Sequence, residues 1–132
     1  KPERCRPRAG LVLLVDDDAD VRQVSAEMLR DLGYDVLEAA GGGEALATVR
    51  TLPSPPALVV LDYAMPGMNG LLLATALREV GIGAPIVLAT GYAELSEDQT
   101  GVLPDAVLRK PYSLAELERT LQRLRSKTAE LA

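Results

Sequence analysis

Five short apolar runs, separated by segments with helical spacing, are the feature that most limits how this chain can fold. We predict strands at residues 11–15, 34–40, 58–61, 85–89 and 106–108. Strands that alternate with helices form parallel sheets that are covered on both faces and joined by right-handed crossovers. The sequence therefore predicts an α/β protein with a parallel sheet at its centre.

The segments between the runs carry apolar residues at the three- and four-residue spacings of amphipathic helices. The first predicted helix starts at Asp20, places Val21, Val24 and Leu29 on its apolar side, and stops at Gly33. Further helices are predicted at 43–50, 70–80 and 94–101, and after a capping box that begins at Ser113. Five strand-helix units predict a flavodoxin-like, doubly wound (βα)5 three-layer sandwich with the strand order 2-1-3-4-5.

Composition narrows the chemistry that such a fold can carry. The 132 residues suit one domain, to which we assign residues 10–127, with 1–9 as a linker and 128–132 as a tail. The absence of histidine and the single Cys5 exclude a histidine-based nucleophile pair, a histidine-ligated zinc and an internal disulfide. The net charge of −5 argues against direct nucleic-acid binding. No stretch has the ~20 apolar residues of a membrane helix, so we expect a cytoplasmic domain without membrane insertion.

Chemically useful side chains follow four of the five predicted strands. Asp16 and Asp17 follow the first, Asp62 the third, Thr90 the fourth and Lys110 the fifth. In a doubly wound sheet the first and third strands are neighbours, and ligands bind at the carboxyl ends of the strands. We therefore expect these five residues to meet at one edge of the sheet.

This set of residues is suited to phosphoryl transfer. Three close carboxylates repel one another unless a divalent cation lies among them, and oxygen ligands suit Mg²⁺. A carboxylate such as Asp62 can attack a phosphoryl group and form an acyl phosphate. Mg²⁺ and Lys110 would neutralise the charge on the transferred oxygens, and Thr90 would donate its hydroxyl to one of them.

Four motifs resemble those of the response-regulator receiver domains of two-component signalling. They are Leu14-Val-Asp-Asp-Asp18, Asp62-Tyr-Ala-Met-Pro-Gly-Met-Asn-Gly70, Thr90-Gly91 and Lys110-Pro111. The resemblance implies that Asp62 is the phosphoacceptor and that Thr90 is the switch hydroxyl. It also implies that Mg²⁺ is held by Asp16, Asp17, Asp62 and the backbone carbonyl of Ala64. Lys110 matches the family's lysine, and the resemblance implies a cis bond between Lys110 and Pro111.

The same resemblance implies the partners. The phosphodonor is a histidine kinase or a histidine phosphotransfer domain, and the chain itself is no enzyme beyond self-phosphorylation and slow self-dephosphorylation. Residues 89–94 and 110–118 are similar to those of receivers at the carboxyl end of hybrid sensor histidine kinases. The parent protein is then a kinase that can be membrane-anchored. The exposed side of the last helix is a candidate face for a homodimer.

Two positions depart from the family pattern. Val107 stands where the family usually has a switch aromatic, and Tyr92 is the residue that can take over part of this role. Ala64, two residues after the phosphoacceptor, has no polar group with which to orient a water molecule. We therefore expect slow loss of the phosphoryl group, and faster loss in Ala64→Asn.

Three other interpretations remain open at this point. Asp16, Asp18 and Asp20 partly match a calcium-binding EF-hand loop, but Val21 stands where that loop needs glycine. Asp18 and Asp20 otherwise serve as helix caps. An aspartyl-phosphate hydrolase of the haloacid dehalogenase type would need a second aspartate at Ala64. An interaction module of the same fold without phosphorylation would not require the complete set of site residues.

Overall fold

The computed structural model describes residues 10–91 and 104–131. The five strands in these ranges are β1 (Gly10–Val15), β2 (Tyr34–Ala39), β3 (Leu58–Asp62), β4 (Ile86–Thr90) and β5 (Ala106–Arg109). They form one sheet in the order β2-β1-β3-β4-β5, and every neighbouring pair is parallel. The predicted doubly wound, flavodoxin-like strand order is confirmed.

Four helices lie in the same ranges: α1 (Ala19–Asp31), α2 (Gly42–Val49), α3 (Gly70–Glu79) and α4 (Leu114–Leu131). The predicted linker at 1–9, the predicted helix at 94–101 and Tyr92 lie outside the described residues. Helix α4 continues past residue 127, where the sequence analysis ended the domain. No helix in the described part of the chain combines the length and the apolar character needed to cross a bilayer.

Alternate residues of the central strands pack into opposite layers, as the two-residue period of a strand requires. Leu13 and Val15 of β1 belong to a core cluster with residues of α2 and α3. Val12 and Leu14 belong to a second cluster with residues of α1 and α4. Strands β3 and β4 are buried at every residue. The protein is therefore a three-layer sandwich with the sheet in the middle.

Helix α1 turns a different face towards the sheet from the face that the apolar spacing of its sequence predicts. Its buried residues are Ser25, Ala26 and Leu29, whereas Val24 is 51% exposed. Val24 and Leu29 are five residues apart, which places them roughly 140° from each other around a helix. When Ala26 and Leu29 face the sheet, Val24 must therefore face away from it. The expectation that Val24 lies on the inner face is wrong.

Candidate functional site

The polar groups predicted to converge do lie at one edge of the sheet. Asp16 follows β1, Asp62 ends β3, Thr90 ends the neighbouring β4, and Lys110 follows β5. Asp16, Asp62 and Thr90 are 4%, 7% and 3% exposed, although most polar residues of a small domain lie at the surface. Burial of three polar residues at the ends of adjacent strands marks this edge as a candidate site.

Lys110 joins the carboxylates at the centre of the site. Its Nζ donates to Oδ1 of Asp62 at 2.8 Å and to Oδ2 of Asp16 at 3.0 Å. Burial alone would lower the pKa of Lys110, but the hydrogen bonds with Asp62 and Asp16 outweigh it and raise the pKa. The side chain is therefore an ammonium group at neutral pH. The Lys110–Pro111 peptide bond is cis, as the resemblance implied.

Asp17 completes an acidic cluster with Asp16 and Asp62. One carboxylate oxygen from each of the three lies within 4.8 Å of those of the other two. The pKa of Asp62 is raised, first by burial and then by the negative charges of Asp16 and Asp17, while Lys110 partly opposes this rise. One ammonium group therefore does not balance the three carboxylates.

The residues of the cluster fit a hard divalent cation. All three side chains offer oxygen atoms, and the chain has no histidine that could supply nitrogen. Carboxylate oxygens are the ligands that Mg²⁺ prefers, and its charge would offset the repulsion within the cluster. Asp17 is exposed, so the cluster opens to solvent. Ala64 lies in the exposed loop after β3, and its carbonyl as a further ligand stays a prediction.

Contacts that the sequence analysis missed hold Asp16 in place. Arg22 on α1 donates from Nη1 to the backbone oxygen of Asp16 at 2.7 Å and from Nε to Glu38 on β2 at 3.2 Å. The amide of Asp18 donates to Oδ1 of Asp16 at 2.9 Å. A basic residue one turn into a helix is common, so the sequence carries no specific signal for this contact of Arg22.

Asp18 acts as a helix cap. Its Oδ1 accepts from the amides of Asp20 and Val21 at 3.0 and 3.2 Å, at the start of α1. A strand, β1, precedes this segment where an EF-hand loop would have a helix. The calcium-loop interpretation therefore finds no support here.

The loop after Asp62 is fixed at both ends. The amide of Tyr63 donates to the carbonyl of Ala89 at 2.8 Å, and the amide of Gly70 donates to the carbonyl of Tyr63 at 2.9 Å. A Cβ atom on Gly70 would lie 2.6 Å from the backbone oxygen of Asp62. Gly70 is the first residue of α3. Because it has no side chain, the helix can approach the end of β3 more closely than it could with any larger residue at this position.

The two described switch positions differ in burial. Thr90 is buried next to the strand that carries Asp62, whereas Val107 on β5 is 46% exposed. An apolar groove of about 460 Å³ lies beside Lys110. Helix α1 and the segment after β5 line the groove, through Asp20, Val21, Val24, Ser25, Met28, Lys110, Pro111 and Tyr112. The apolar spacing of the sequence does not predict this groove, because the exposure of Val24 depends on how α1 is turned.

Comparisons with known proteins agree with this geometry. Residues 12–122 match the family model of the response regulator receiver domain. A probable transcriptional regulator, ycf27 of Porphyridium aerugineum, is 37% identical over 109 residues, which cover 81% of this chain and 44% of that protein. The chain thus spans less than half the length of this relative.

Two solved structures are also similar. The receiver domain of the hybrid histidine kinase CckA is 35% identical, with a TM-score of 0.71 over 86% of this chain and 97% of that one. The response regulator TrrA of Thermotoga maritima, solved in complex with Mg²⁺-BeF, is 32% identical. Its TM-score is 0.76 over 86% of this chain and 97% of that one.

Proposed function

Because the chain belongs to the response regulator receiver domain family, we propose that it is a phosphoacceptor signalling domain. Asp62 takes a phosphoryl group from a phosphohistidine on a histidine kinase or a histidine phosphotransfer domain. The aspartyl phosphate changes the conformation of the domain and so controls a partner protein or an attached domain. Asp16, Asp17, Asp62 and the carbonyl of Ala64 would hold Mg²⁺, which would supply positive charge to offset that of the transferred group.

The observation that carries this proposal is the pairing of Asp62 with Lys110 inside an acidic cluster. Asp62 is buried, lies 2.8 Å from an ammonium group and has two further carboxylates within reach of one cation. A single buried ion pair would account for Asp62 and Lys110 alone. It would not account for Asp17, which adds repulsion and raises the pKa of Asp62.

The chain's own residues account for the transfer. One carboxylate oxygen of Asp62 attacks phosphorus, the bond from phosphorus to the donor imidazole nitrogen breaks, and its electron pair stays on that nitrogen. Lys110 exchanges its contact with Asp62 for one with a phosphoryl oxygen, where negative charge is spread in the transition state. Thr90, at the end of the adjacent strand, donates its hydroxyl to another phosphoryl oxygen. The product is an acyl phosphate on Asp62.

Loss of the phosphoryl group to water is slow in this proposal. Ala64, two residues beyond Asp62, has no side-chain group that could hold a water molecule in line with phosphorus. A general base typically contributes ~10²-fold or more to such a step, and alanine cannot act as one. The domain therefore stores the phosphoryl group rather than turning over small phosphate esters.

The groove beside Lys110 supports a protein as the donor. Val24, Met28 and Pro111 offer apolar surface beside Lys110, and a small phosphate ester cannot cover that surface. A protein that carries the phosphohistidine can bury this surface while it presents its imidazole to Asp62. The proposed donor thus matches both the charge and the apolar flank of the site.

The test is phosphorylation by small donors with an intact-mass readout. The protein is incubated with Mg²⁺ and either acetyl phosphate or phosphoramidate, which has a phosphorus-nitrogen bond like that of phosphohistidine. We expect the mass of one phosphoryl group to be added, and Asp62→Asn to abolish this gain. Asp31→Asn, an exposed carboxylate at the end of α1, is the matched control and should label like the wild type.

Two results would contradict the proposal. The first is labelling that persists in Asp62→Asn, because another residue would then be the acceptor. The second is a folded wild-type protein that gains no mass from either donor at saturating Mg²⁺.

A further inference from the structure

The segment that carries Lys110 is short and is tied down on two sides. It connects the end of β5 at Arg109 to the start of α4 at Leu114. On the side of the sheet, the backbone amide of Lys110 donates to the carbonyl of Thr90 at 2.7 Å. This bond fixes the backbone of Lys110 against β4. The residues after Lys110 must be held in place by other contacts.

Tyr112 ties the segment to α1 on the other side. Its hydroxyl lies 2.7 Å from Oγ of Ser25, a hydrogen bond between residues 87 positions apart in sequence. Ser25 is 4% exposed and shares the buried side of α1 with Ala26 and Leu29. Tyr112 also packs against the core cluster between the sheet and these helices. The bond therefore joins the Lys110 segment to the middle of a rigid helix.

The bond is between neutral groups throughout the physiological pH range. Burial raises the pKa of Tyr112, and the hydrogen bond to Ser25 opposes this only in part. A neutral phenol and a serine hydroxyl can each act as donor or acceptor. A buried hydroxyl that loses its partner is costly, so the pair holds the two elements together.

We infer that the Tyr112–Ser25 hydrogen bond positions Lys110 for the phosphoryl group. This inference rests on the proposed function, in which Lys110 leaves Asp62 and binds a phosphoryl oxygen. Tyr112 and Ser25 are positioning residues. They hold the backbone from which the lysine side chain extends, and the contacts of Lys110 in the site are with Asp16 and Asp62. Loss of the bond should not weaken metal binding, because the metal ligands come from the ends of β1 and β3 and the ammonium group of Lys110 only opposes a cation beside Asp16 and Asp62.

The experiment measures two affinities in four proteins: the wild type, Tyr112→Phe, Ser25→Ala and the double variant. Beryllofluoride, a phosphoryl mimic, is titrated at saturating Mg²⁺, and Mg²⁺ is titrated alone, each followed by amide NMR shifts. We expect each single variant to weaken beryllofluoride binding by about three- to tenfold, the effect of losing one hydrogen bond. The double variant should lose no more than the singles, since both remove the same interaction. Mg²⁺ affinity should stay within about twofold of the wild type.

Tyr34→Phe is the matched control. Tyr34 is a buried tyrosine of the same core cluster, and its hydroxyl accepts instead from Arg125 on α4 at 3.3 Å. Its loss should change stability without changing beryllofluoride affinity. A variant that only loosened the core would behave like this control. It would not lower the affinity for beryllofluoride while leaving the affinity for Mg²⁺ unchanged.

Several outcomes would overturn the inference. Wild-type beryllofluoride affinity in both single variants would do so, as would losses that multiply in the double variant or a parallel loss of Mg²⁺ affinity. These results leave the proposed function intact if the wild type binds beryllofluoride and Asp62→Asn does not. If the wild type itself fails to bind beryllofluoride, the proposed function and this inference both fall.

Discussion

At each end of the sheet a cationic side chain is bound to several oxygen atoms, and the two groups of residues differ in their balance of charge. At the amino end, Arg78 on α3 donates to the carbonyls of Ile82 and Ala84 at 2.8 and 2.7 Å and to Asp105 at 3.1 Å. Asp105 also accepts from the amide of Ile86 at 2.8 Å. One cation thus meets one carboxylate, and the pair joins α3, β4 and the start of β5.

At the carboxyl end, one ammonium group faces three carboxylates. The side chains of Lys110, Asp16 and Asp62 are 22%, 5% and 8% exposed, against 27% and 41% for Arg78 and Asp105. The site at the carboxyl end is therefore the more buried of the two and the less neutral. The amino-end pair thus serves the fold, whereas under the proposed function the carboxyl-end cluster trades stability for the capacity to bind a cation and a phosphoryl group.

The largest effect on stability is expected at the amino end. Arg78→Met removes three hydrogen bonds made by a charged donor, so the free energy of unfolding should fall by about 2–3 kcal/mol. Urea denaturation would measure the loss, with Arg123→Met, an exposed arginine on α4, as the control. Mg²⁺ binding by the folded protein should not change. A parallel fall in Mg²⁺ affinity would show that the two ends are not independent.

At the carboxyl end, Asp17→Asn is expected to weaken Mg²⁺ binding without lowering the stability of the metal-free protein. Removal of one ligand should weaken Mg²⁺ binding by about tenfold or more, equivalent to at least ~1.4 kcal/mol. Metal-free stability should not fall, because the charge of Asp17 disfavours the ionised form of Asp62. Calorimetric titration would give the affinity, and the rise of the melting temperature with Mg²⁺ would give an independent check. Wild-type Mg²⁺ affinity in this variant would remove Asp17 from the metal site.

A smaller effect should appear as a pH dependence of metal-free stability. The folded-state pKa of Asp62 lies above its ordinary value of 3.8, mainly because of burial. The folded protein therefore binds the proton more tightly than the unfolded chain. This contribution is fully present below the ordinary pKa and is lost as the pH rises through the folded-state pKa. At neutral pH the ionised Asp62 thus costs stability.

Asp62→Asn removes this cost. Without metal it should be more stable than the wild type at pH 7, and the difference should shrink as the pH falls towards 4. Urea midpoints measured across this range would test the expectation. A variant that is less stable than the wild type at pH 7 would mean that the pairing with Lys110 outweighs burial and repulsion.

The smallest effect is expected at Ala64. An asparagine there adds an amide that can orient water beside the acyl phosphate, so Ala64→Asn should speed its decay by less than about tenfold, or ~1.4 kcal/mol in the barrier. Release of inorganic phosphate from the labelled protein would measure the rate. An unchanged rate would show that the side chain two residues after Asp62 does not limit access of water.

The sequence was sufficient to predict the strand order and the edge of the sheet at which the candidate site residues lie. Each apolar run is followed directly by polar residues, which show where the strand ends. The rules of parallel sheets then bring Asp16, Asp62 and Lys110 together. Contacts that depend on how a helix is turned could not be predicted. The bond from Arg22 to the Asp16 carbonyl and the bond between Ser25 and Tyr112 arise only once α1 has turned Ala26 and Leu29 towards the sheet. Local spacing alone placed Val24, not Ser25, on the inner side.

The strand order also fixes when the site becomes complete during synthesis. After β2 pairs with β1, each later strand adds to the other side of β1 in chain order: β3, then β4, then β5. A chain that has left the ribosome only as far as residue 91 already contains all three carboxylates of the cluster but not Lys110. Because residues leave the ribosome in chain order, the three carboxylates emerge before Lys110, which contacts two of them in the folded domain.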